Sequence, residues 1–149
     1  MLTTQTRYRG QYNESPFVFN HHNLTSLKIS FNGNSYPTPP LEPVYTSNNE
    51  IDYARAYFSL MNDSFKVDQA PLVTYDTFKS IFCIYVVNLG AESTLQGDHV
   101  NPQQLVNARL DLTFAPSPDN VALTCLVYTE CPQMLEINSS RSVLKDYII

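Results

Sequence analysis

The sequence predicts an all-β protein, a single jelly-roll β-sandwich with one inserted short helix. Two segments alternate strictly between apolar and polar residues, which is the period of a half-buried strand. The composition is 43% hydrophobic and only 15% charged, with many Tyr, Phe and Thr residues, which suits sheet surfaces. Only one segment shows helical spacing. Several strands joined by long loops are therefore expected to pack as two sheets.

The chain is expected to form one domain, because 149 residues can bury a core without disulfides. Residues 1–16 are polar and are predicted to be an N-terminal arm. Residues 17–149 are predicted to be the jelly-roll domain. Within it, 17–20 is a short strand candidate that precedes the first alternating run.

The strongest strand prediction covers residues 25–31. Thr25, Leu27, Ile29 and Phe31 lie on one side, and Ser26, Lys28 and Ser30 on the other. Asn32 and Gly33 then supply a turn signal. The segment 36–45 carries four prolines, which remove ladder donors, so it is predicted to be a surface loop.

Residues 50–61 form the predicted helix. The apolar stripe is expected to be Ile51, Ala54, Phe58 and Met61, with Asp52, Arg55 and Ser59 facing solvent. The following segment, 71–78, is predicted to be irregular.

The second half is predicted to be mostly strand. Residues 80–88 are apolar on both faces, and 90–104 form a polar loop. Residues 109–114 and 121–129, joined by a turn at 115–120, are expected to pair as an antiparallel hairpin. Shorter strands are expected at 133–137 and 142–149. The predicted core residues are Ile29, Phe31, Ile81, Cys83, Leu110, Leu112, Leu123 and Val127.

Charge and cysteine usage narrow the function classes. A net charge of −5 argues against broad attraction to nucleic acid or anionic lipid, and no run is long enough for a membrane span. Cys83 and Cys125 lie in apolar runs and are predicted to be buried thiols, whereas Cys131 is expected to be more exposed. This pattern, with no apolar N-terminal leader, predicts a reducing compartment and no secretion.

The adjacent histidines at the entrance to the first long strand raise the question of a metal site. On a strand, His21 and His22 would point to opposite faces, and His99 lies far along the chain, so no metal is expected. One ring is predicted to pack inward and the other to meet water or a loop carbonyl. No nucleophile or carboxylate pair has a catalytic spacing, so neither an enzyme nor a cofactor is predicted.

Three stretches together resemble a known family. They are "SPFVFNHHNLTSLKISFNGNSYPTPPLEP", "GDHVNPQQLVNARLDLTFA" and "LVYTECPQMLEINSSRSVLKDY". Over roughly residues 14–147 they resemble the C-terminal jelly-roll region of capsid proteins from Polinton/Maverick-type virus-like mobile elements, and of uncharacterised relatives in invertebrate genomes. The family pattern has a histidine at the position of His21 and an aromatic residue at that of His22. The resemblance therefore implies a flat side chain at His22 and not a ligand.

The resemblance implies a structural role, as a capsid protein or a capsid-derived remnant that acts through protein–protein packing in a virion or in the host cytoplasm or nucleus. In that family a further jelly roll lies upstream, so the implied partner is a companion jelly-roll domain or copies of the chain itself. The alternative left open is a carbohydrate- or ligand-binding β-sandwich module that uses the many tyrosines. The segments that flank the sandwich are expected to supply the interface. Its predicted residues are Arg7, Tyr8, Tyr12, Val143, Tyr147 and Ile148.

Overall fold

A computed structural model describes residues 1–31, 33–45, 51–64, 73–89, 107–116, 121–129, 135–137 and 143–145. Its strands are β1 (Leu2–Thr4), β2 (Leu24–Phe31), β3 (Asn34–Leu41), β4 (Ala108–Phe114), β5 (Leu123–Cys125), β6 (Leu135–Ile137) and β7 (Val143–Lys145). Its helices are α1 (Gln5–Tyr8), α2 (Ile51–Ser64) and α3 (Tyr75–Ser80). Among the described residues, no helix is long and apolar enough to cross a membrane.

The strands of the described segments form three antiparallel sheets with the orders β3-β2-β4, β1-β5 and β6-β7. This sheet-rich architecture with a few short helices is compatible with a β-sandwich. The described residues form three helices where one was expected. The β6-β7 pair confirms two strand predictions in the C-terminal part of the chain.

The largest sheet is built around β2, as its alternating sequence predicts. Leu27 lies opposite Leu112, and Ile29 lies opposite Leu110, so their side chains share one face. Leu27 is buried, whereas Leu112 and Ile29 are half-buried and Leu110 is exposed. The apolar face of this sheet is therefore covered at the Leu27 end and open at the Leu110 end.

The proline-rich segment is a strand and not the predicted loop. Asn34–Leu41 pairs with β2 in an antiparallel register that shifts between Leu27 and Ile29. Gly33, with φ of +81°, occupies the left-handed region in the connecting turn. Among the described strands β3 lies at the edge of its sheet, and its three prolines fall between the paired residues Tyr36 and Leu41, where the register is interrupted.

The predicted hairpin of 109–114 and 121–129 is wrong. In the described residues β4 pairs with β2, and β5 pairs with β1. The N-terminal residues consequently belong to the packed structure, because Leu2 and Thr3 are buried. The expectation of an arm over 1–16 does not hold for this first strand.

The helix predicted at 50–61 is present as α2, but it buries a different face. Tyr53, Ala56 and Leu60 are buried, whereas Phe58 of the predicted stripe is 56% exposed. Arg55 is exposed, as expected, while Ser59 is half-buried. The side chains of Ile51 and Asp52 lie outside the described residues.

The segment predicted to be irregular, 71–78, contains most of helix α3, which extends to Ser80. Thr74 caps its N-terminus: the Thr74 hydroxyl accepts from the Thr77 backbone N–H, and the Thr77 hydroxyl accepts from the Thr74 N–H. The next segment was expected to be a strand covered on both sides. Among residues 73–89 only Phe82 makes a β-bridge, to Phe19, and Ile81 and Phe82 are exposed.

The core consists of two clusters joined by the side chain of Tyr85. The first packs α2 and α3 onto the segment around Cys83, and the second packs β1, β2 and β3 together. Their buried members are Tyr45, Tyr53, Ala56, Leu60, Phe78 and Cys83, and Leu2, Leu24, Leu27 and Leu41, respectively.

The predicted core is therefore correct only in part. Cys83 is fully buried, and Ile29, Phe31 and Leu112 are half-buried. The remaining four predicted core residues are exposed, because none of them packs against either core cluster. They are Ile81, Leu110, Leu123 and Val127. Cys125, predicted to be a buried thiol, is also exposed.

Candidate functional site

An exposed apolar surface lies along β5 and its flanks; we call Val121, Leu123, Cys125 and Val127 the β5 apolar surface. Strand alternation places Leu123 and Cys125 on one face. Leu2 lies directly opposite Cys125 in β1, so this face is continuous with the face that Leu2 buries in the core. All four members of the surface are exposed, Val127 by 68%.

The strand that carries this surface is held by the N-terminal residues. The Met1 amino group donates to the Leu126 carbonyl over 3.1 Å, and the Gln5 N–H donates to the Ala122 carbonyl over 2.9 Å. A groove of about 280 Å³ runs between α1 and the start of β5. It is lined by Gln5, Thr6, Arg9, Val121 and Ala122.

The predicted interface residues differ in exposure and in the contacts that they make. Tyr8 and Tyr12 are exposed, and Tyr12 is the most accessible of the large hydrophobic residues among those described. Arg7 is half-buried and lies 3.4 Å from the Glu14 carboxylate. Val143 pairs with Ile137 in the β6-β7 sheet. Tyr147 and Ile148 lie outside the described residues.

The two histidines were expected to lie on a strand, but they lie in a turn that precedes β2. His22 and Asn23 have φ values of 45° and 53°, in the left-handed region. The Asn23 N–H donates to His21 Nδ1 over 2.9 Å, and the Leu24 N–H donates to the His21 carbonyl over 2.9 Å. These bonds close the turn and direct the chain into the buried start of β2.

The His21 ring packs inward, as one ring was expected to do. It stacks on Tyr45 with ring centroids 4.1 Å apart and planes 15° apart. Burial, followed by the charges of His22 and Lys79, lowers the pKa of His21 to about 4. His22 Nε2 is buried and makes no hydrogen bond to the described residues, and burial, then Arg7, lowers the pKa of His22. Both rings are therefore neutral at pH 7.

Next to the His21 ring, two phenols and a thiol form a hydrogen-bonded triangle. The Tyr45 hydroxyl lies 2.9 Å from the Tyr85 hydroxyl and 3.3 Å from Cys83 Sγ, and the Cys83 thiol donates to the Tyr85 hydroxyl over 3.1 Å. Burial raises the pKa of all three groups. The thiol stays protonated, so the triangle links chain segments and does not provide a thiolate.

An aromatic stack extends the triangle toward the helices. Tyr53 stacks on Tyr45 and on Tyr75, with ring centroids 5.5 and 4.6 Å away, respectively. Lys79 Nζ lies 5.4 Å from the centre of the Tyr53 ring. These rings occupy the core between α2 and α3, and they are not displayed as a platform for bases or sugars.

A small cavity lies between β3 and α2. Its volume is about 140 Å³, below the ~300 Å³ at which small-molecule pockets usually begin. The Arg55 guanidinium borders it and donates to the Pro39 and Pro40 carbonyls over 2.6 and 2.8 Å. Among the described residues, no group of three or more His, Cys, Asp or Glu side chains is placed to hold a metal ion.

The sequence did not predict the triangle, because its partners are up to 40 residues apart. The available signal was the spacing of Cys83 and Tyr85, which puts a thiol and a phenol on one side of an extended segment. His99 and Cys131 lie outside the described residues. Comparison of the chain with protein-family models, curated proteins and solved structures finds no match.

Proposed function

We propose that this chain is a structural β-sandwich of jelly-roll connectivity, a capsid-type protein or a capsid-derived remnant, and that it acts by packing against other proteins. The proposal is supported by the antiparallel sheets and by the three sequence stretches that resemble capsid jelly rolls. Its partner is a second copy of the chain or a companion jelly-roll domain. Its location is a virion, or the host cytoplasm or nucleus.

The observation that carries this proposal is the β5 apolar surface. Contiguous exposed apolar side chains mark sites of protein association in soluble proteins. In the described residues β5 pairs only with β1, so it is also an edge strand with backbone groups available for pairing. Exposed Tyr8, on the adjacent helix α1, is of a residue type favoured at interfaces.

A charge placed on this surface tests the proposal. Val127 lies outside the hydrogen-bonded part of β5, so Val127→Asp should leave folding intact and lower the association constant at least about tenfold. Thr129→Asp is the matched control, since it adds the same charge at an exposed polar position two residues away. Both variants are compared with the wild type by sedimentation velocity over a range of concentrations, and by thermal melting.

The expected result is association of the wild type and of Thr129→Asp, but not of Val127→Asp, with equal melting temperatures at a concentration at which all three proteins are monomeric. Association of Val127→Asp as strong as that of the wild type would overturn the assignment of the surface. Deletion of the N-terminal residues is not an equivalent test, because Leu2 and Thr3 are buried and their loss would damage the fold.

A carbohydrate- or ligand-binding module is the second candidate, and the exposed rings of Tyr12 and Tyr128 favour it. Exposed tyrosines can stack on the apolar faces of sugars. Binding to a glycan array that is lost in Tyr128→Ala, together with a wild type that stays monomeric, would favour this function over the structural one.

A further inference from the structure

The turn that carries the two histidines connects most parts of the described core. The Phe19 N–H donates to the Ile81 carbonyl over 2.7 Å, and the Cys83 N–H donates to the Phe19 carbonyl over 2.9 Å. The Asn20 N–H donates to the Leu2 carbonyl over 3.2 Å. Residues 19–24 therefore lie against β1 and against the segment that contains the fully buried Cys83.

Only a neutral imidazole can hold this turn. His21 Nδ1 accepts a hydrogen bond from the Asn23 N–H, so it must carry a lone pair and no proton. Protonation of Nδ1 would place two donors 2.9 Å apart. The ring would have to leave that position, and it would then also lose its stack on Tyr45.

The charged surroundings add to the cost of protonation. His22 on the same turn and Lys79 on α3 both disfavour a positive charge on His21. On α1, the charge of Arg7 lowers the pKa of His22, and Arg7 forms an ion pair with Glu14. The ring that packs directly on His21 is Tyr45, which belongs to the protonated triangle of Tyr45, Cys83 and Tyr85.

We propose that the segment 19–24 is an acid-operated latch: protonation of His21 breaks its bond to Asn23 and its stack on Tyr45, releases the segment, and uncovers Cys83. The opened state is a local one, since only the first pair of the β2-β4 register, Leu24 with Phe114, lies within the segment, and the pairs from Ser26 to Phe31 lie beyond it. The device does not depend on the identity of the partner protein, and it applies whether or not the chain assembles.

The accessibility of the Cys83 thiol measures the latch directly. In a Cys125→Ser/Cys131→Ser background, Cys83 is the single thiol of the chain. Its rate of reaction with 4,4′-dithiodipyridine is divided at each pH by the rate for the same protein unfolded in urea, which removes the intrinsic pH dependence of the reagent. Between pH 7 and pH 4 we expect this ratio to rise about tenfold, allowing for the partial exposure of His21.

Two substitutions separate the parts of the latch. His21→Phe keeps a flat ring against Tyr45, and His21→Asn keeps an acceptor for the Asn23 N–H, but neither can be protonated in this range. Both are expected to give a ratio that does not change with pH. His22→Phe is the matched control, and it should retain the rise in acid.

A wild-type ratio that is flat to pH 4, or a rise that persists in either His21 variant, would overturn the proposal. Loss of the rise in His22→Phe alone would assign the effect to the other ring and would also overturn it. NMR titration of the His21 ring in the unsubstituted protein provides a test that needs no variant. Nδ1 should stay unprotonated to below pH 5, and protonation near the ordinary value of 6.5 would contradict the latch.

Discussion

The hydroxyl of Tyr45 lies 2.9 Å from the hydroxyl of Tyr85, and the Cys83 thiol contacts both. This contact joins the chain after β3 to the extended segment after α3. Because Tyr85 packs against both core clusters, it also connects the helical part of the core to the sheet.

A double-mutant cycle measures this contact. Tyr45→Phe and Tyr85→Phe should each lower the free energy of unfolding by about 1–2 kcal/mol, because each leaves a buried hydroxyl without one partner. The double variant should lose less than the sum, since both single changes remove the same bond. Urea unfolding at pH 7 gives all four values. Additive losses would show that the two hydroxyls are not coupled.

Two phenylalanines test the location of the first core cluster. Phe78 is fully buried between α2 and α3, so Phe78→Ala should cost about 3–5 kcal/mol of unfolding free energy. Phe58 lies on the outer face of α2, and Phe58→Ala should cost less than about 1 kcal/mol. Similar losses for the two variants in denaturant titrations would mean that the face of α2 is assigned incorrectly.

The cap of α3 provides a local test. Thr74→Ala removes the side-chain acceptor for the Thr77 N–H and should destabilise the protein by about 1 kcal/mol. Thr129→Ala, at an exposed position outside the helices and strands, serves as the control and should be neutral. Thermal unfolding compares the two. Equal melting temperatures would indicate that α3 does not need its cap.

The neutral state of His21 predicts how stability depends on pH. The folded state holds the pKa of His21 near 4, below the ordinary value of 6.5, so the unfolded chain binds a proton first as the pH falls. The stabilising contribution is complete above about pH 6.5, decreases toward pH 4 and does not decrease further below it. Urea unfolding of the wild type and of His21→Phe, compared from pH 7.5 to 4, measures the contribution of His21 to this pH dependence. The difference in unfolding free energy between the two proteins should change by about 1 kcal/mol over this range, and a constant difference would refute the assignment.

The sequence predicted the elements whose signal is local. The alternation of β2 and β4 is visible within seven or eight residues, and it gave both strands. The helical spacing of apolar residues in α2 predicted the helix correctly but did not predict which of its faces is buried. Apolar residues occur on both sides of it, so only the contact with α3 decides in favour of Tyr53, Ala56 and Leu60.

The features that sequence reasoning missed depend on tertiary context. The prolines of β3 are compatible with a strand because β3 lies at an edge of the described sheet and because they fall where its pairing with β2 is interrupted, between Tyr36 and Leu41. The cap of α3 has threonine at the position where glutamate or glutamine usually completes the motif, which weakens its signal. The partners of β4 and β5 are distant strands, so the short turn between them favoured a hairpin that the described residues do not form.

The central claim is that the chain associates through the β5 apolar surface, and hydrogen exchange at two protein concentrations tests it most directly. At the higher concentration, the backbone amides of residues 121–129 should exchange at least about tenfold more slowly, because association covers the exposed edge and face of β5. The amides of β2, already paired on both sides, should exchange at the same rate at both concentrations. Exchange at 121–129 that is independent of concentration, or slowing confined to another part of the chain, would contradict the account.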